Sequence, residues 1–151
     1  MQTRSMLAWG AAISMVAYLI CLTLPALDVR GVAGQVQTSS GASLALSGVA
    51  AVFSGNFAWL ANCVLIVAWL LAFVDKSVHC LYFSLLAFFL SLHTFRFNFN
   101  AVPDKSSCCL LIENFQAGFY FWLASILIML VMALLAMVEM RLTPTTPSEH
   151  G

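Results

Sequence analysis

Charge is what this sequence has least of. Its 151 residues include six Lys or Arg and six Asp or Glu, 8% in all, against roughly 25% in soluble globular domains. That is too few to build the polar shell a water-soluble protein of this length needs. No basic run occurs, which removes electrostatic nucleic-acid binding from consideration. Arg4 stands alone before the first apolar segment, which argues against a helix held on a membrane surface by a basic face. All six acidic residues fall at segment ends or in loops, so the proton relay of a pump or proton-coupled transporter has no carboxylates to run on. Also missing are a C-x-x-C pair, a recognised metal-ligand spacing and an internal repeat.

What is present is apolar. Hydrophobic residues make up 62% of the chain, and segments apolar all round in so short a chain indicate a membrane protein. The organising stretch is 56–74, NFAWLANCVLIVAWLLAFV, with no charge over 19 residues. At the α-helical rise it spans about 28 Å, close to the ~30 Å hydrocarbon thickness of a bilayer. Three further spans are expected, at about 6–27, 78–95 and 115–138. The first is longer than a signal-peptide core and no small-x-small site follows it, so it reads as an uncleaved helix. Leu19-Ile20 before Cys21 likewise lack the small residues of a lipoprotein site. Pro25 is placed in its last turn, and Ser14 and Tyr18 share one of its faces.

Between these runs lie two long polar loops, 28–42 and 94–114. Val29, Val32 and Val36 allow a short extended piece in the first. In the second, FRFNFN at 95–100 alternates aromatic and polar residues, as a strand or an aromatic collar would. The segment 43–54 is apolar but too short to span, and reads as a short helix lying at the interface or dipping in and returning, with an earlier, tilted start of the second span as the alternative. Residues 143–151, with two prolines, read as a disordered tail. The expected fold class is therefore an all-α membrane protein. It is a single domain over 1–142, a four-transmembrane-helix bundle with an extracytoplasmic cap of two loops and a short interfacial helix. Both termini lie on one side. The positive-inside count ties: Arg4, Lys76 and Arg141 against Arg30, Arg96 and Lys105. Arg4 and the α-amino group ahead of the first helix favour cytoplasmic termini.

Three stretches carry a family likeness: CLTLPA at 21–26, AWLAN at 58–62 with a second Trp at 69, and GFYFWLAS at 118–125. With them the chain resembles a group of small bacterial four-span inner-membrane proteins that have no established activity. The likeness runs from about residue 19 to 135. Relatives tend to carry an acidic residue and a glycine before the fourth span. Glu113-Asn114 and Gly118 are similar here, with shifted spacing. The resemblance implies a bacterial inner-membrane location and carries over no catalytic or binding residue.

The first candidate for chemistry is Asn62, an amide in the second span. An amide in hydrocarbon must find partners. It reads as a structural polar pin, an interhelical hydrogen bond of about 0.6–2 kcal/mol, ahead of a place in a substrate path. Tyr18, Ser91, Tyr120 and Ser125 are its candidate partners. The cysteines are Cys21, Cys63, Cys80, Cys108 and Cys109. Adjacent Cys108 and Cys109 are the weak redox candidates of a quinone-linked thiol oxidase, although that chemistry normally uses a close pair with a lowered thiol pKa. Buried small apolar fillers are the plainer reading. His93, Cys108, Cys109 and Glu113 share one side without a metal-ligand spacing, so no metal and no cofactor is expected. His93 and Arg96 read as interfacial anchors, the 118–122 aromatics as a belt, and Met129, Met132 and Met137 as packing or lipid-facing groups.

The functional expectation is a non-enzymatic accessory or interaction subunit of the envelope, in the inner membrane. Its partners are the lipid bilayer and another membrane protein or a second copy of itself, and not nucleic acid. Two alternatives stand: a membrane thiol-redox protein using outward cysteines, and a subunit of a small oligomeric channel or transporter.

Overall fold

The computed structural model describes residues 2–30, 35–53, 57–99 and 111–142. Three helices are long and apolar enough to cross a membrane: α1 (Gln2–Thr23), α4 (Ser77–Phe99) and α5 (Ala117–Leu142). A shorter apolar helix, Phe57–Phe73, opens with a 3-10 turn at Phe57–Trp59 and continues as α3 (Leu60–Phe73). The 13-residue α2 (Gly41–Phe53) is a separate short helix. Three short strands complete the chain: β1 (Pro25–Arg30), β2 (Val36–Ser40) and β3 (Leu111–Phe115). The protein is thus mostly helical, with a small sheet.

The helices α1, α3, α4 and α5 pack around one core, with α1 antiparallel to α3 and α5, and α4 likewise antiparallel to both. On α1 and α5, Gly10 meets Met132 and Ser14 bonds to Ser125. On α3 and α4, the Cys80 Sγ lies 3.5 Å from the Ala68 carbonyl, and Phe57 sits edge-on to His93. At the far end of α4, Ser77 reaches Met140 of α5. The start of α1 and the end of α5 therefore share one end of the bundle. The sheet and α2 occupy the other.

The interior is built from small side chains. Ala11, Ala61, Ala68, Ala72, Ala87, Ala133 and Ala136 are fully buried, alongside Leu7, Leu65, Ile126 and Met129. Large apolar side chains point outward: Trp9 is 68% exposed, and Leu70 and Phe89 are each 60% exposed. Water-driven folding favours burying the larger residues. In lipid no hydrophobic force acts between helices, and small residues let backbones approach closely. Gly10 shows how close: a Cβ there would fall 2.6 Å from the Met132 Cβ.

The turn between α3 and α4 is closed by backbone bonds. Lys76 N–H donates to the Leu71 carbonyl at 3.0 Å and Asp75 N–H to Ala72 at 3.3 Å. This satisfies the last carbonyls of α3 and leaves Asp75 left-handed, at φ 61°.

The cap is organised around β1, which pairs antiparallel with β2 on one side and β3 on the other. Asp28 ties the layers together. One carboxylate oxygen accepts from the Thr38 hydroxyl at 2.8 Å, the other from the Gln116 amide. Beneath the sheet, Ala26, Leu27 and Phe119 form a second apolar cluster with Phe95 and Phe115.

Several boundaries differ from expectation. Pro25 opens β1 rather than ending α1; lacking an N–H it cannot continue the helical ladder, and α1 stops at Thr23. Residues 95–99 are helical, the last turn of α4. No proline interrupts the apolar helix before 103, so the intrahelical ladder continues through the alternating stretch. The Phe95 ring is held 5.5 Å from Phe115 and 5.6 Å from Phe119. The third strand comes instead from Leu111–Phe115, so Phe115 ends a strand and α5 begins at Ala117. The expected tail, 143–151, and the cysteines Cys108 and Cys109 lie outside the described residues.

Candidate functional site

Where the cap meets the helices there is a half-open, mainly apolar cavity of about 160 Å³. Helix α2 forms one wall with Gly41, Leu44, Ala45 and Gly48, which recur at helical spacing and so lie on one face. Two of these must be glycine for α2 to lie this close. A Cβ at Gly41 would fall 2.1 Å from the Cys21 carbonyl oxygen, and one at Gly48 the same distance from the Trp59 ring. The Trp59 indole N–H fastens α2 by donating to the Ala45 carbonyl at 2.7 Å. The other walls are the end of α1, with Tyr18 and Cys21, the starts of α3 and α5, with Asn62, Phe119 and Trp122, and Thr94 of α4.

Asn62 lies on α3 in this wall, and its Oδ1 accepts from Trp122 Nε1 at 2.7 Å. The bond joins α3 to α5. Of the four partners expected for Asn62, Ser91 and Ser125 instead donate to carbonyls of their own helices, at Phe88 and Trp122. Tyr120 is 59% exposed, and Tyr18 stacks edge-on against Trp69. An indole N–H can only donate, so the amide must turn its oxygen to Trp122. The Nδ2 hydrogens then remain without a hydrogen-bond partner among the described residues, on a side chain that lines the cavity.

The polar contacts continue into the core. Trp69 Nε1 donates to Ser14 Oγ at 2.9 Å, and Ser14 Oγ donates to the Ser125 carbonyl at 2.7 Å. Ser125 Oγ bonds back to the carbonyl of Trp122, whose ring holds Asn62. Asn62 and Trp69 are two turns apart on α3, and Trp122 and Ser125 are one turn apart on α5. The chain of bonds therefore closes a ring through α3, α5 and α1.

Neither a protein-family model nor a curated protein matches the chain. The site must be read from its own chemistry.

Cys21, Cys63 and Cys80 are free thiols, Cys21 and Cys80 buried and Cys63 exposed. No group of three or more His, Cys, Asp or Glu side chains converges among the described residues. The GFYFWLAS stretch, expected as an interfacial belt, divides by helical face. Phe119 is buried and Trp122 half-buried, while Tyr120 and Phe121 are exposed. Sequence reasoning missed Trp122 and Trp59 as polar partners. The available signal was that each is an obligate N–H donor beside an apolar run, and a half-buried indole usually finds an acceptor. The α2 wall was also legible in principle, as small residues at 41, 45 and 48 on one helical face.

Proposed function

We propose that this is a multi-pass integral membrane protein with four spans, acting as a non-enzymatic accessory or interaction subunit through its cap. The inverted packing supports the membrane location: alanines inside, large apolar side chains outside on every long helix. Phe57–Phe73 serves as the fourth span in this reading. Its seventeen helical residues reach about 26 Å, a shortfall that local thinning or flanking side chains absorb at modest cost. The antiparallel order supports termini on one side, which the first-helix charge makes cytoplasmic, and the likeness noted above suggests a bacterial inner membrane.

The cap carries the functional part of the reading. Two loops far apart in sequence fold into one sheet, pinned on both sides by Asp28. Its outer strand β2 leaves four of its five residues exposed and stands at the edge of the sheet among the described residues. A polar platform held at one end of a bundle suits recognition of another envelope protein. The test is site-specific photocrosslinking in whole membranes from Gln37 and Thr38 on β2, with Leu70 on the outer face of α3 as control. A discrete protein adduct from β2 and only lipid adducts from Leu70 are expected. Lipid adducts alone from all three positions would reject the interaction role.

A further inference from the structure

The cavity under α2 goes beyond an interaction role and rests on the membrane reading alone. We propose that it binds one membrane-dissolved six-membered ring bearing a hydrogen-bond-accepting oxygen, the chemistry of a quinone head group, with Asn62 Nδ2 donating to that oxygen.

A cavity of about 160 Å³ matches the ~150 Å³ apolar cavities that stay dry and take up benzene. A single ring is accommodated whole, with any tail left in the bilayer. A membrane lipid's acyl chain exceeds this volume and would stand mostly outside it. The walls suit a flat guest. Tyr18, Trp59, Phe119 and Trp122 offer aromatic faces and edges, which pair best in offset or edge-on arrangements.

A mainly apolar cavity needs no donor, yet the wall of this half-open one holds an amide whose orientation is set by Trp122 beside it in the same wall. Trp122 takes Oδ1 and leaves the N–H pair to a guest acceptor. The indole N–H of Trp59 is already committed to Ala45, and that of Trp122 to Asn62. Of the cavity's amide and indole N–H groups, the one left for a guest is therefore that of Asn62; the Tyr18 and Thr94 hydroxyls also line the cavity.

The outer side of α2 carries apolar residues together with Ser43 and Ser47, whose hydroxyls are bonded back to the Ser40 and Ser43 carbonyls. Leu46 is 82% and Val49 45% exposed on its outer side, while Leu44 and Ala45 face the cavity. A lid of this kind adjoins lipid rather than water, so a guest arrives from the bilayer.

The test uses the full chain in detergent micelles. The probe is a fully ring-substituted 1,4-benzoquinone with a decyl tail, whose ring does not add thiols. Two of the four tryptophans line the cavity, so quenching of Trp fluorescence reports occupancy. Saturable quenching by one probe per chain is expected. Ala45→Leu, which fills the cavity without touching the Asn62–Trp122 bond, should abolish it. Asn62→Leu should weaken it about three- to tenfold, the loss of one hydrogen bond. Trp122→Phe, which keeps the Asn62 amide, should weaken it less. Should Ala45→Leu not fold, alkylation of Cys21 in the wild-type chain replaces it: the probe slows that reaction and leaves Cys63 unaffected. Non-saturable quenching, or equal quenching in all variants, overturns the proposal. Displacement by decylbenzene as readily as by unlabelled quinone overturns the role of the oxygen. Displacement by lysophosphatidylcholine reassigns the cavity to an acyl lipid. Carbonate washing of membranes keeps the two readings apart. A chain that washes off overturns the membrane location; one that stays but shows no saturable binding overturns the cavity alone.

Discussion

Ser14→Ala should cost this protein about 2 kcal/mol, although it removes a single oxygen atom. Ser14 is fully buried on α1. Its hydroxyl donates to the Ser125 carbonyl at 2.7 Å and accepts from Trp69 Nε1 at 2.9 Å. Alanine fits the same space, so no cavity term enters. Interhelical hydrogen bonds in membranes average about 0.6 kcal/mol and reach about 1.7. The larger part of the cost comes from Trp69, which is only 7% exposed. Without Ser14 its indole N–H is stranded, and an unsatisfied buried donor costs about 1–3 kcal/mol. Removing both partners should be milder than the sum of the parts. In a cycle with Trp69→Phe, the double variant should lie about 1 kcal/mol closer to wild type than additivity requires. The measurement is equilibrium unfolding in mixed micelles of rising SDS fraction, followed by far-UV circular dichroism. Additivity within about 0.5 kcal/mol, or a Ser14→Ala cost below about 0.5 kcal/mol, would refute the reasoning.

Three other outcomes are expected. Asp75→Gly should stabilise the protein by about 0.5–1 kcal/mol in the same unfolding assay, because glycine takes the left-handed φ of 61° without a Cβ penalty; Asp75→Val should destabilise it. Gly41→Ala should cost about 1–3 kcal/mol, since the new Cβ would meet the Cys21 carbonyl at 2.1 Å, and lifting α2 should speed alkylation of Cys21. Asp28→Ala should cost about 1–2 kcal/mol through the lost bonds to Thr38 and Gln116. Hydrogen exchange should then rise in β2 and β3 and stay unchanged in α1 and α5.

How far the site could be read in advance depended on the range of the interaction involved. Asn62 stood out because an amide inside a charge-free run is conspicuous whatever surrounds it. Its partner did not, because Trp122 lies 60 positions away and resembles any tryptophan near a span end. Ser14 and Trp69 met the same obstacle. Each is unremarkable alone, and their bond exists only because α1 and α3 lie side by side. The alternating aromatics at 95–99 misled for a related reason. Their period suits a strand, but the ladder of α4 runs on through them, and the half-buried Phe95 ring packs from that helix against Phe115 of β3 and Phe119 of α5.

By itself the sequence determined the solvent-facing chemistry. Twelve charges in 151 residues, all outside the apolar runs, require an apolar surface, and the run lengths set the long helices α1, α4 and α5. Composition and run length are local properties, so one sequence suffices to read them. Only the tertiary structure decided what lies between the runs. It paired β1 with β2 and β3, laid α2 over the bundle through Gly41 and Gly48, and turned the Asn62 oxygen to Trp122 in the wall of the cavity. Those outcomes depend on how closely backbones distant in sequence approach, and the residues that permit it, glycine and alanine, carry little signal of their own.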